Sequence, residues 1–158
     1  MLCVSTGATM ELKYPETILI CHDDYHAQYI GRTSDGNQFF LTTPFVPASE
    51  DEGCEFIALY KLDSNGALVS SQIENLGPRE AVDGDLAQAK LQSILGSLRG
   101  VEYGDINIQP FEVEEFGVRF GLIPIDPELV EGEEEMSLEI QPGNYMAFYP
   151  PWDGDYDT

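Results

Sequence analysis

Apolar residues in this chain fall mostly in short runs or at alternating positions, punctuated by glycine, proline and aspartate, a pattern of β-hairpins rather than long helices. Ile18-Leu19-Ile20 and Tyr29-Ile30-Gly31-Arg32 read as two short strands on either side of a polar turn. Asp35-Gly36-Asn37 predicts a tight hairpin into Gln38-Phe39-Phe40-Leu41-Thr42, because glycine supplies the positive φ such a turn needs. Pro44, Pro47 and the run Glu50-Asp51-Glu52-Gly53 predict a surface loop, since neither prolines nor a charge cluster suit a sheet interior. Residues 56–62 are apolar enough for a central strand, and Asp63-Ser64-Asn65-Gly66 turns the chain into a partner at 67–73.

One segment changes period. Ala87, Leu91, Ile94, Leu95 and Leu98 form a single stripe at helical spacing, which predicts a helix over about 85–99. Asp85 is its expected N-cap with Gln88 as the capping-box partner, Gly100 its expected C-cap, and Gly96 a point of close approach to the sheet. Strands return at 106–109, 111–114 and 118–123, with Phe116-Gly117 as a turn. An exposed acidic loop is expected at 128–135, strands at 138–140 and 145–149, and a turn at Pro142-Gly143-Asn144. The strands and helix do not alternate, so the predicted class is α+β: a mainly antiparallel sheet built from hairpins and packed by one main helix. A length of 158 residues suits a single domain, with residues 1–10 either disordered or ahead of a start at Met10.

Charge alters this picture most. There are 29 acidic residues against 7 basic ones, a formal net charge of -22. The cations Lys13, Arg32, Lys61, Arg79, Lys90, Arg99 and Arg119 are spread singly, so no basic patch is available to displace counterions from a nucleic acid. The same field attracts a basic partner, a polyamine or a cation. Cys3, Cys21 and Cys54 are an odd number without close pairing, which fits a reducing compartment. No apolar run approaches the length of a bilayer span and the first ten residues lack the features of a signal peptide, so a cytoplasmic location is expected.

Candidate chemistry is sparse. Cys21, His22, Asp23, Asp24 and His26 gather potential metal ligands within six residues, and His22, His26 and Asp24 are the candidate ligands. A closed zinc site needs four ligands, so this one would have to borrow carboxylates or a second subunit. Asp153, Asp155 and Asp157 alternate like the start of a calcium loop but lack its glycine and its bidentate glutamate. No nucleophile elbow, phosphate-binding loop, dinucleotide fingerprint or HExxH pattern is present, so no cofactor is implied and a non-catalytic protein is expected. Glu128, Glu131, Glu133, Glu134 and Glu135 are candidates for contacting a basic protein, by imitating the phosphates of a nucleic acid, and Trp152 is a candidate apolar anchor.

Two stretches carry a resemblance: Tyr29-Ile30-Gly31-Arg32-Thr33-Ser34-Asp35-Gly36-Asn37-Gln38-Phe39-Phe40, and Pro142-Gly143-Asn144-Tyr145-Met146-Ala147-Phe148-Tyr149-Pro150-Pro151-Trp152-Asp153-Gly154. On these the chain resembles small bacterial proteins labelled formate hydrogenlyase regulatory protein. The resemblance implies control of formate-metabolism genes through contact with a transcriptional activator, and it transfers no functional residue. The expectation is a bacterial regulatory or interaction protein, with a metal-binding protein or metal-dependent enzyme as the rival.

Overall fold

The computed structural model describes residues 14–47, 53–128 and 135–158. Its strands are β1 (Ile18–Ile20), β2 (Tyr29–Arg32), β3 (Gln38–Thr42), β4 (Phe45–Val46), β5 (Cys54–Leu62) and β6 (Leu68–Gly77) before the helix α1 (Gly84–Gly96). After it come β7 (Glu102–Tyr103), β8 (Ile106–Ile108), β9 (Phe111–Glu115), β10 (Val118–Ile125), β11 (Ser137–Gln141) and β12 (Ala147–Phe148).

β5 is the central strand that its apolar run predicts. It pairs with β6 along one edge and with β3 and then the short β4 along the other, and β2 and β7 extend the sheet beyond β3. A second antiparallel sheet runs β9-β10-β11-β12, and β1 pairs with β8 as a small third sheet. The fold is α+β and mainly antiparallel.

Alternation along β3 and β5 divides the interior in two. Phe40, Phe56, Ala58, Tyr60 and Leu62 face a core shared with Phe120, Leu122, Leu138, Ile140 and Phe148 of the second sheet. The intervening Phe39, Leu41, Ile57 and Leu59 face the other way and are covered by Leu91 and Ile94 of α1. A strand buried on both faces loses the polar alternation of a half-exposed one, which is why 56–62 reads as a continuous apolar run. Gln38 joins the layers: its Nε2 donates to the carbonyls of Asp63 and Asn107, and its Oε1 accepts from the Asn107 amide.

The helix differs from its expected limits. Asp83, not Asp85, is the N-cap, its carboxylate accepting from the amides of Asp85 and Leu86. The helix therefore starts at Gly84, and its last helical residue is Gly96 rather than a residue near 99. Gly96 approaches nothing in the sheet; a side chain there would meet open space. The strands 18–20 and 29–32 form as expected, although they pair with β8 and with β3 and β7 rather than with each other. β4 interrupts the expected loop at 44–53, of which residues 48–52 lie outside the described residues. The final strand is Ala147–Phe148 only.

Candidate functional site

The loop 21–26 and the tail after Pro150 are far apart in sequence and meet in the fold. Asp23 organises the loop, its Oδ1 accepting from the amides of Tyr25 and Ala27. Its other oxygen accepts from the Tyr156 hydroxyl at 2.6 Å, and that hydroxyl in turn accepts from the His26 amide. Behind these contacts, Asp157 forms an antiparallel bridge with Ala147, extending the strand pairing into the tail. Gly154 is buried with φ +97°, and an added Cβ would lie 2.6 Å from Cys21 Sγ, so the tail backbone lies directly against the Cys21 side chain.

The two imidazoles occupy different surroundings. His22 stacks on Tyr103, has Nε2 3.0 Å from the Gln28 carbonyl oxygen, and donates its backbone amide to Asp105. His26 lies among the rings of Tyr25, Tyr145 and Tyr156, and burial pushes its pKa down despite the nearby Asp23 carboxylate. Asp24 is exposed. Among the described residues no three His, Cys, Asp or Glu side chains are gathered to hold a metal ion, so His22, His26 and Asp24 are not brought together as a ligand set.

Cys21 does not carry an activated nucleophile. Burial, followed by the carboxylates of Asp105, Asp155, Asp153 and Asp23, raises its pKa and keeps the thiol protonated. Cys54 donates its thiol to Asn75. What the loop and tail do enclose is an open cleft of about 480 Å³, walled by Cys21, His22, Asp23, Tyr25, Asp155 and Tyr156. Tyr25 stands 63% exposed at its edge. Carboxylates beside exposed aromatic faces suit an ammonium or guanidinium group, which gains from both charge attraction and the ring quadrupole.

The other candidate residues are dispersed. Trp152 is half-buried, with its ring 6.5 Å from that of Tyr14, so it fastens the tail to the body of the protein. Glu128 and Glu135 are exposed, whereas Glu131, Glu133 and Glu134 lie outside the described residues. Glu139 departs from the exposed pattern: it is 3% exposed and accepts from the Ser137 hydroxyl and the Gln141 amide group. The Asp23–Tyr156 contact spans 133 positions. Its only local signals are the Asp-x-Tyr-x-Ala order of the loop and the aromatic content of the tail.

In comparisons with known proteins, the chain matches no family model, no curated protein and no solved structure.

Proposed function

We propose that this chain is a non-catalytic, cytoplasmic interaction protein that engages a basic protein partner, with the cleft between loop and tail as the socket for a cationic side chain. The observation that carries this reading is the exposed Tyr25 beside Asp23 and Asp155 in that cleft. The charge balance supports it at longer range. Arg79 pairs with Glu55, Lys90 with Glu74 and Arg119 with Glu112, so these cations are already neutralised while the acidic excess remains. An uncompensated surface of this sign speeds encounter with a basic protein and repels phosphate polymers. Glu128 and Glu135 would add to that field. The resemblance to formate hydrogenlyase regulatory proteins supports a regulatory setting in a bacterium. No specific observation favours the rival metal-dependent reading.

The test passes nuclease-treated lysate over the immobilised protein and elutes with a salt gradient. The expected result is one basic protein, recovered stoichiometrically, released by moderate salt and bound again after purification. Tyr25→Ala and Asp155→Asn should weaken that binding, whereas Glu80→Gln, on the 3₁₀ turn before α1, should not. Recovery of background proteins alone, or binding unmoved by both cleft variants, overturns the proposal.

A further inference from the structure

Three of the described cations, Arg79, Lys90 and Arg119, are ion-paired. Among the described residues Arg32, Lys61 and Arg99 are in no ion pair, and the last two line one cavity of about 290 Å³. Unpaired like charges repel, so their meeting in a chain with 29 carboxylates runs against the simplest electrostatic arrangement. We infer that the cavity between the 33–37 turn and the segment following α1 is a binding site for a compact oxyanion, a carboxylate or phosphate group on a small molecule, held by Lys61 and Arg99.

The architecture accounts for both positions. Lys61 belongs to the helix-facing row of β5, after Ile57 and Leu59, where α1 has ended and no longer covers the sheet. Arg99 is held by its own backbone, its carbonyl accepting from the Ser34 amide at 2.9 Å. Gly100 makes that approach possible: its φ is +63°, and a Cβ there would lie 2.6 Å from Ser34 Cβ.

The groups that could neutralise the pair do so only in part. Asp35, the carboxylate in the wall, accepts from the Thr33 hydroxyl at 2.6 Å and from the Asn37 amide at 3.0 Å; these bonds, with a smaller share from Lys61, hold it below its ordinary pKa, and without a direct ion pair to either cation it offsets one of the two positive charges and leaves the wall net positive. A helix C-terminus attracts cations when its last carbonyls are bare, but here the Ile94 and Leu95 carbonyls already accept from the amides of Ser97 and Leu98. Gln38 is committed to the sheet junction. Lys61 Nζ and the Arg99 guanidinium are therefore left as the cavity's charged donors.

Size and charge select the ligand. The cavity lies near the small end of the ~300–1,000 Å³ range of ligand pockets, which fits a small metabolite. A nucleic-acid polymer would run along the surrounding acidic surface, whereas a compact anion meets chiefly the cavity's own wall of Lys61, Arg99 and Asp35, charges beyond about 8 Å being largely screened at physiological salt.

The site is independent of the cleft proposed for a basic partner, and its test needs no partner. Inorganic phosphate and succinate are titrated separately into the isotopically labelled protein at ionic strength held constant with chloride, and backbone amide shifts are followed by NMR. Saturable shifts at residues 33–37 and 97–100 are expected, and the tighter-binding probe distinguishes a phosphate source from a carboxylate source. Arg99→Gln, at an exposed position, should weaken binding about tenfold or more, the loss expected for one charge-assisted hydrogen bond. Lys61→Arg should retain binding and Lys61→Gln should lose it. Linear shifts without saturation, or saturable shifts unchanged in Arg99→Gln, overturn the site.

Discussion

Aspartates in this protein act as turn-builders as much as charges. Asp23, Asp35, Asp63, Asp83, Asp126 and Asp153 each accept from the backbone amide two positions ahead, an arrangement that a short carboxylate reaches without strain. Asp23 also holds the tail, and the pH dependence of that contact has a definite sign. Burial raises its pKa, but the Tyr156 hydroxyl and the amides of Tyr25 and Ala27 outweigh it and leave the carboxyl below its ordinary value. Burial and Asp23 push the Tyr156 hydroxyl up to about 12, so it donates throughout the neutral range. A carboxyl depressed in the folded state contributes stability above its unfolded pKa of about 4, and loses it as pH falls through the lower folded value. His26, also depressed, loses its contribution in the same direction, starting nearer pH 6.5. Tyr156→Phe should therefore cost about 1 kcal/mol at pH 7, at the low end because Asp23 is only partly buried and solvent screens the contact. That difference should vanish in strong acid, as measured by urea denaturation at both pH values.

Tyr60 presents the opposite case at the same scale. Its hydroxyl is fully buried with no hydrogen-bond partner among the described residues, and burial pushes its pKa far up. Tyr60→Phe should stabilise the protein by about 1 kcal/mol, since it removes a desolvated donor while keeping the ring between Phe40 and Phe111. Tyr145→Phe should destabilise by a similar amount, because it strands the buried Thr42 hydroxyl 2.7 Å away. Chemical denaturation of the two variants separates the cases by sign.

At the scale of elements, the helix was legible in its apolar stripe and misread at its ends. Leu91 and Ile94 are buried as the spacing requires, because a helix lying on a sheet must turn one face to it. The cap was ambiguous because Asp83 and Asp85 both precede the periodic residues, and side-chain chemistry alone does not rank them. The fold selects Asp83, whose extended backbone lets its carboxylate reach forward. Asp83→Ala should thus cost about 1 kcal/mol, while Asp85→Ala changes stability little, and thermal melts of the pair distinguish the assignments. The hairpins were legible for a related reason: Asp35-Gly36-Asn37 and Asp63-Ser64-Asn65-Gly66 specify local geometry that needs no distant partner. The pairing of β1 with β8 joins residues almost ninety positions apart and left no such local mark.

Across the whole molecule, the acidic excess is a standing repulsion that the folded state concentrates. Raising salt from a few millimolar to about 0.15 M should raise the melting temperature, because screening shortens the reach of that repulsion to about 8 Å. A melting temperature that falls or stays flat would show that the ion pairs outweigh the excess. Among the described residues no helix is long and apolar enough to cross a membrane.

The sequence by itself determined the α+β class, the central strand, both tight hairpins, the helix stripe and the sign of the surface field. These depend on composition or on residues within one turn or one strand of each other. The tertiary structure alone decided what the candidate residues do. It placed His22 and His26 in separate aromatic surroundings and laid the tail along the 21–26 loop. It also brought the isolated cations Lys61 and Arg99 to one cavity. Contacts of this kind join segments through the packing of two sheets and a helix, and no spacing rule along a chain encodes which distant side chains that packing makes neighbours.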